Sequence, residues 1–154
     1  METKKVNKTF RYKNELAWKS AHRGVLSQAG KPQVIVGSPP EFRGYPDNWS
    51  PEDLLVGALN TCLMLTFYAL AHSKGVEPVS YQSTADGLLE NVDGVYRITE
   101  VEVTPTVVLQ SEADSDIARD LMANKVEANC FITNSIRGKV KLKAQFQVSP
   151  ARKS

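Results

Sequence analysis

One uncharged stretch near the middle of the chain limits what this sequence can fold into. Residues 54–71 contain no charged side chain over 18 positions, and His72 and Lys74 follow directly after them. A helix needs roughly 17–25 residues to span a bilayer, so length alone does not decide its environment. Three polar residues and one glycine interrupt the stretch, and strand-like segments lie on both sides of it. Because a helix that is apolar all round belongs to a membrane or to a core, we interpret it as a core helix and expect no membrane contact.

The residues around this stretch mark both ends of a helix. Ser50 is a favoured N-cap residue, Pro51 suits the first helical position, and two acidic residues then complement the positive end of the helix dipole. Gly75 is typical of a C-terminal cap. The sequence therefore predicts a helix over residues 51–73.

Strand-like patterns on either side of this helix predict the α+β class. Alternating apolar and polar side chains, separated by turn residues, indicate strands at residues 4–12, 16–18, 24–27, 33–36, 79–88, 95–109, 131–136 and 140–148. The two long strands form a hairpin around residues 91–94, with a bulge near Thr99 where the alternation changes phase.

Two further segments complete the predicted organisation. Residues 37–50 contain three prolines and two glycines, so they form an irregular loop of a length that is often functional. Residues 114–129 show the pattern of a second, amphipathic helix. Its predicted inward side chains are Ile117, Leu121, Met122 and Val126.

Composition narrows the class of protein. The 154 residues suit one domain over residues 1–154. Lys plus Arg number 19 and Asp plus Glu number 17, and this near-balance argues against a nucleic-acid partner. Two cysteines are too few for a disulfide scaffold. The N-terminal residues lack the apolar segment of a signal peptide, so we expect a cytoplasmic protein.

Two sets of side chains suggest ligand binding, but each has a simpler explanation. Zinc sites show ligand pairs at short local spacing, and no such pair occurs among His22, Cys62, His72 and Cys130. Lysines at every second position of a strand form its solvated face, which explains Lys139, Lys141 and Lys143. We therefore expect no metal and no cofactor.

The two cysteines leave two interpretations open. Free cysteine is among the most buried residue types, so Cys62 and Cys130 are each explained as inert core thiols. The alternative is a redox pair, in which a thiolate attacks a peroxide, becomes a sulfenic acid and condenses with the second thiol. A cation or a helix end near the first thiol would raise its thiolate fraction.

Two motifs around these cysteines occur together in one known family. The first is a Pro51-Glu52 helix start with Cys62 eleven residues after the proline, and the second covers residues 126–135 around Cys130. Together they resemble the OsmC/Ohr family, the osmotically inducible protein C and organic hydroperoxide resistance proteins. The resemblance covers nearly the whole chain. It implies an OsmC-like α+β fold in which antiparallel sheets wrap around the long central helices of an intertwined homodimer.

The same resemblance implies a chemistry and a set of site residues. Characterised members of that family are cysteine-based peroxidases that reduce organic hydroperoxides, some also hydrogen peroxide, with dithiols such as dihydrolipoyl groups as reductant. Cys62 would be the peroxidatic thiol and Cys130 the resolving thiol. Glu52 would orient an arginine beside the thiolate. Arg23 and Arg43 are both candidates for that arginine, and the sequence does not choose between them.

Helix geometry separately favours a dimer. Glu52 and Cys62 are ten residues apart, a rise of about 15 Å along one helix, so they cannot touch within one chain. They can meet if two copies of the helix cross antiparallel near Gly57 and Ala58, where small residues permit close approach. We therefore predict an obligate homodimer.

Two other functions compete with the peroxidase. One is a non-enzymatic module of the same fold that binds an apolar ligand at the dimer interface. The other is a redox sensor that oxidises but turns over slowly. Turnover of an organic hydroperoxide distinguishes the peroxidase from both.

Overall fold

The computed structural model of the protein describes residues 7–150, which divide into two compact units. The first unit ends at Pro51 and the second begins at Glu52. The boundary therefore falls at the first turn of the predicted long helix. The assignment of residues 1–154 to one functional domain stays a prediction.

The first unit contains a three-stranded antiparallel sheet in the order β1–β2–β3. Its strands are β1 (Glu15–Ser20), β2 (Arg23–Ser27) and β3 (Val34–Gly37), which confirm the three predicted short strands. The strand predicted at residues 4–12 is wrong for residues 7–12, which form no regular structure, while residues 4–6 lie outside the described part. Phe10 is 75% exposed and Tyr12 90% exposed, so the alternating pattern there has no core to face.

The loop after β3 is irregular, as predicted, apart from one short 3₁₀ turn at Pro40–Phe42. Arg43 follows this turn in the left-handed region with φ 64°. At Gly44 a Cβ atom would lie 1.5 Å from the carbonyl oxygen of Ser38, so only glycine fits there. The loop returns to β3 through a hydrogen bond from the Gly37 N–H to the Trp49 carbonyl, 3.0 Å long.

The long helix α1 (Pro51–Ser73) begins and ends where the sequence predicts. Gly75 has φ 74°, and the Val76 N–H donates to the Ala71 carbonyl at 3.0 Å, which closes the C-terminal cap. The buried side chains of α1 form one stripe with a spacing of four residues: Leu59, Leu63, Phe67 and Ala71. Within residues 7–150, α1 is the one helix that is long and apolar enough to cross a membrane by length and composition.

The second unit contains a hairpin of β4 (Ser80–Val92) and β5 (Val95–Leu109). Asp93 and Gly94 both have positive φ, 52° and 84°, as the tight hairpin turn requires. Leu88 pairs with Glu100 and Leu89 pairs with Ile98, so Thr99 is the extra residue of a bulge. The predicted hairpin and bulge are thus confirmed.

Two short strands, β6 (Lys139–Leu142) and β7 (Gln145–Val148), pair with β5 one after the other. The sequence predicts one strand over residues 140–148, but Lys143 and Ala144 are not part of a strand and divide it into two. Both short strands run parallel to β5, whereas β1–β2, β2–β3 and β4–β5 pair antiparallel, as expected. The second sheet is therefore mixed.

The lysines of the β6 region lie on the sheet surface, as predicted. Lys141 Nζ lies 2.8 Å from Glu100 Oε2, and Lys143 Nζ lies 2.7 Å from Glu102 Oε2. Acidic side chains of β5 therefore balance these lysines, which supports their structural explanation.

The second predicted helix is interrupted. It consists of α2 (Glu112–Leu121), a π-helical turn (Met122–Val126) and α3 (Glu127–Asn129). Ser111 caps α2 by accepting a hydrogen bond from the Asp114 N–H at 3.1 Å. The prediction that Ile117 points inward is wrong, since it is 37% exposed. The small side chains of Ser115 and Ala118 form the buried face instead, and Ile117 lies beside that face.

The core of the second unit joins α1, β5 and the α2–α3 segment. The buried residues of β5 lie on one face as predicted: Val101, Val103, Val107 and Leu109. Ala118, Leu121, Met122, Val126 and Cys130 complete the core from the α2–α3 segment. Cys62 packs against this cluster from α1. Both thiols thus belong to the second unit.

Candidate active site

Cys62 lies in the middle of α1, next to the buried stripe of that helix. Its neighbour Leu63 belongs to the stripe and is fully buried, whereas Cys62 is half-buried. The Cys62 Sγ atom lies 4.0 Å from the Oγ1 atom of Thr66, one helical turn further along. The helix therefore presents the sulfur at the edge of the core, together with a hydroxyl group.

Cys130 follows α3 and is completely buried. Its backbone is extended, with φ −77° and ψ 116°, so the helix ends at this residue. The Cys130 Sγ atom accepts a hydrogen bond from the Thr133 N–H at 3.4 Å. Both cysteines are free thiols.

The surroundings of Cys62 favour its thiolate. Burial alone would raise the pKa of Cys62, but four hydrogen bonds outweigh this effect and lower the pKa below its ordinary value. In decreasing order of effect, the donors are the Ile132 N–H, the Cys130 thiol, the Thr66 hydroxyl and the Phe131 N–H. The sulfur thus lies in an anion site that its own chain provides.

The surroundings of Cys130 favour the protonated thiol. Burial raises the pKa of Cys130, and the neighbouring negative charge on Cys62 raises it further. Hydrogen bonds from Thr133 oppose this shift only in part. Because the pKa of Cys62 is lowered and that of Cys130 is raised, Cys62 is the thiol of the pair that ionises first.

A compact turn fixes the peptide groups that reach Cys62. The prediction of a strand at residues 131–136 is wrong, since Thr133–Ser135 form a 3₁₀ turn. The Asn134 side chain donates to the Ala128 carbonyl at 3.1 Å, and the Ser135 hydroxyl donates to the Phe131 carbonyl at 2.7 Å. These side-chain bonds to the backbone compete with strand pairing and stabilise the turn.

The sequence motifs contain this turn but do not indicate its role. The peptide N–H groups of Phe131 and Ile132 cannot be identified as donors from side-chain types alone. Thr66 could have been found, because residues four apart on a helix are neighbours and its hydroxyl is a donor next to Cys62.

Glu52 lies in the first turn of α1 and is half-buried. Its Oε2 atom is buried and has no hydrogen-bond partner among residues 7–150. A buried, unpaired carboxylate oxygen is costly, so it calls for a donor. Its role in orienting an arginine stays a prediction.

The two candidate arginines lie in the first unit and differ in their surroundings. Arg23 Nη2 donates to Asp47 Oδ1 at 2.7 Å, and its guanidinium lies 4.2 Å from the centre of the Tyr45 ring. The Nε atom of Arg23 is buried without a partner among the described residues. Arg43 is exposed. Both assignments stay predictions.

An apolar groove of about 200 Å³ opens in the second unit between the C-terminal half of α1 and the start of β4. It is lined by Met64, Leu65, Phe67, Tyr68, Pro78, Ser80 and Tyr81. Within the described part of the chain, no group of three or more His, Cys, Asp or Glu side chains could hold a metal ion.

Fold and site together define a class of protein: a small α+β chain that pairs a half-buried thiol of lowered pKa on a long helix with a buried thiol after a second helix. The sequence profile of the OsmC-like protein family matches residues 44–145, more than half of the chain. The protein belongs to the OsmC-like family, as the two cysteine motifs indicated.

Individual relatives agree with this assignment. The uncharacterized protein YmaD of Bacillus subtilis is 28% identical over 124 residues, which cover 79% of this chain and 82% of YmaD. An OsmC-like protein of unknown function from Vibrio cholerae has a similar structure, with a TM-score of 0.75 and 22% identity over 88% of this chain and 99% of that one.

A second solved structure is that of an organic hydroperoxide resistance protein from Elizabethkingia anophelis. It matches with a TM-score of 0.67 and 17% identity, over 92% of this chain and 100% of that one. At such identities the similarity shows the fold, and the predicted OsmC-like α+β fold is confirmed.

Proposed function

We propose that the protein is a thiol-dependent peroxidase that reduces organic hydroperoxides in the cytoplasm, with hydrogen peroxide as a second candidate substrate. The observation that carries this proposal is the unequal thiol pair. Cys62 is half-buried and has a lowered pKa, while Cys130 is buried and has a raised pKa. An inert pair of core thiols would have no need of four hydrogen bonds to the more exposed sulfur.

The proposed cycle uses both sulfurs. The Cys62 thiolate attacks one peroxide oxygen, so that an S–O bond forms and the O–O bond breaks. The bonding electrons leave with the alkoxide, which takes up a proton to give the alcohol. The Cys130 thiol then attacks the Cys62 sulfenic acid, which releases water and forms a disulfide. This second step needs a sulfur nucleophile within reach of Cys62 and a proton for the hydroxide that leaves as water, and the Cys130 thiol, which is hydrogen-bonded to Cys62, supplies both.

A dithiol would complete the cycle. Thiol–disulfide exchange proceeds when a thiolate attacks a disulfide sulfur that it can reach. Cys62 is the more exposed of the two cysteines, so we propose that the reductant attacks there. A lipoyl-type dithiol follows from the family resemblance. Peroxide and dithiol are the small-molecule partners, and we expect no nucleic-acid or membrane partner.

We also propose that the active protein is a homodimer. In the single chain, α1 buries only one stripe, and its side chains Leu65 and Tyr68 are 56% and 48% exposed. The unpaired Oε2 atom of Glu52 lacks a donor within the described residues. A second copy of α1 that crosses near Gly57 would cover the apolar face and could bring Glu52 to the partner's Cys62.

The cation beside the thiolate is assigned by family resemblance to Arg23 or Arg43. Separate substitutions distinguish them. Arg23→Gln or Arg43→Gln should slow peroxide reduction without removing either thiol, and the variant with the larger loss identifies the arginine. If both variants reduce peroxide at the wild-type rate, neither arginine activates Cys62, and the hydrogen-bond donors of the second unit account for its reactivity.

The experiment that tests the proposed function is a titration of free thiols with cumene hydroperoxide. We expect loss of two thiols per chain and a Cys62–Cys130 disulfide in the peptide mass map. Cys62→Ser should abolish turnover with a dithiol reductant. Wild-type turnover by Cys62→Ser would overturn the peroxidase proposal.

The apolar groove favours one alternative, a module that binds an apolar ligand without turnover. Its lining side chains are almost all apolar or aromatic. If the protein has that function, Cys62→Ser should still bind the ligand. The wild type should then show no repeated turnover of hydroperoxide with a dithiol reductant. A slow redox sensor would instead form the disulfide once and be reduced slowly.

A further inference from the structure

The two sulfurs of the thiol pair face different threonines. Cys62 and Thr66 lie on the same face of α1, one turn apart, with 4.0 Å between Sγ and Oγ1. Cys130 instead meets the backbone of Thr133, whose N–H lies 3.4 Å from its Sγ atom. The Thr133 hydroxyl contributes a second hydrogen bond to Cys130, but only at Cys62 do the hydrogen bonds outweigh the effect of burial on the pKa.

The position of Thr66 suits a group that stabilises charge. Thr66 is half-buried, so water competes less for its hydroxyl than at an exposed site. The residues on either side of Thr66 in α1, Leu65 and Phe67, are apolar. The Thr66 hydroxyl is a side-chain donor within reach of the Cys62 sulfur. The peptide N–H groups of residues 131 and 132, in the segment after α3, donate to the same sulfur.

We propose that Thr66 is a catalytic residue: its hydroxyl donates a hydrogen bond to the Cys62 sulfur and helps to select Cys62, rather than Cys130, as the thiolate. A hydrogen bond to an ionised group favours the charged form and is stronger than one between neutral groups. The direction of the pKa shift at Cys62 agrees with this geometry. Among the described residues, Cys130 is the one titratable group that contributes to that shift. The role of Thr66 in catalysis rests on the proposed function, but its effect on which cysteine ionises does not.

Alkylation of Cys62 by iodoacetamide across a pH series tests the proposal, because the thiolate is the reacting form. Peptide mass mapping would follow Cys62 separately from Cys130 in the full chain. In Thr66→Val, which keeps the branched shape, we expect the alkylation rate constant at neutral pH to fall by about 3- to 10-fold and the midpoint to move to higher pH. Thr66→Ser, which restores the hydroxyl, should return most of the rate.

Thr61→Val is the matched control, since Thr61 is exposed, precedes Cys62 on the same helix and loses the same group. It should leave the midpoint unchanged. An unchanged profile in Thr66→Val, or equal shifts in Thr66→Val and Thr61→Val, would overturn the proposal. Thermal unfolding of each variant shows whether it is folded.

Alkylation needs neither peroxide nor reductant, so it separates this inference from the proposed function. If the protein turns over no hydroperoxide but Thr66→Val still shifts the alkylation midpoint, only the peroxidase fails. If turnover is normal and the midpoint does not move, only the role of Thr66 fails.

Discussion

At Cys62, burial and hydrogen bonding act on the sulfur in opposite directions. Burial would keep the thiol protonated, and hydrogen bonds from residues 66 and 130–132 reverse that preference. One of those donors is the Cys130 thiol, which affects Cys62 in two ways. It increases the thiolate fraction before the reaction, and in the proposed cycle it removes the sulfenic acid afterwards.

The two consequences of Cys130 can be separated by two substitutions. Both Cys130→Ala and Cys130→Ser remove the resolving thiol, so each variant should stop after one oxidation of Cys62. Serine keeps a hydroxyl donor, whereas alanine leaves none, so the pKa of Cys62 should rise in Cys130→Ala. The thiolate fraction below that pKa then falls, and we expect first-turnover oxidation at neutral pH to be about 3- to 10-fold slower than in Cys130→Ser.

Stopped-flow measurement of the first turnover over a pH series checks this prediction. The two variants should converge at high pH, where Cys62 is fully ionised in both. Equal rates at neutral pH would contradict a donor role for Cys130.

Reasoning from residue types finds the groups with reactive side chains and misses those that act through the backbone. Cys62 and Cys130 could be singled out because thiols are rare and chemically distinctive. The Ile132 N–H has the largest effect in lowering the pKa of Cys62, yet any residue other than proline would supply it. Its position depends on a turn that only the folded chain defines.

At the scale of elements, local signals decided which predictions were correct. The β4–β5 hairpin carries its own turn chemistry: Asp93 and Gly94 with positive φ, and Asn91 Oδ1, which accepts from the Gly94 N–H at 2.9 Å. Residues 131–136 have β-branched and aromatic side chains that are typical of strands. Hydrogen bonds from the Asn134 and Ser135 side chains to the backbone override that propensity.

The turn after Cys130 should therefore affect both stability and reactivity. Asn134→Ala removes the side-chain bond to the Ala128 carbonyl, and we expect the free energy of unfolding to fall by about 0.5–1.5 kcal/mol. Because the turn positions N–H groups beside Cys62, the alkylation midpoint of Cys62 should also move to higher pH. Urea denaturation and iodoacetamide alkylation measure the two effects.

Asn124→Ala is the control for Asn134→Ala. The Asn124 side chain donates to Asp120 Oδ1 at 2.8 Å on an exposed helix surface, so its loss removes a comparable bond away from the thiols. It should leave the reactivity of Cys62 unchanged. A loss of stability in Asn134→Ala without any change in alkylation would refute the positioning role of the turn.

At the scale of the whole molecule, each unit leaves apolar surface without cover. In the first unit, every residue of β1 is exposed, including Leu16 and Trp18. In the second unit, α1 buries one stripe and leaves Leu65 and Tyr68 exposed. Contiguous exposed apolar surface marks an interaction site, and for two copies of one chain the simplest arrangement is a two-fold dimer.

Gly57 gives the sharpest test of that dimer. A Cβ atom at Gly57 would have no neighbour within 4 Å in the single chain, so Gly57→Leu fits the monomer and should even favour its helix. If two copies of α1 cross at this residue, however, the leucine overpacks the crossing at a cost of about 1–3 kcal/mol, which weakens the dimer by roughly 5- to 150-fold. Sedimentation equilibrium should find dimers of the 17.0 kDa chain for the wild type and for the control Ala69→Leu, an exposed position about 18 Å along the same helix from the proposed crossing. Gly57→Leu should shift toward a folded monomer with unchanged helical circular dichroism. A monomeric wild type, or a Gly57→Leu dimer as tight as the wild type, would rule out this crossing.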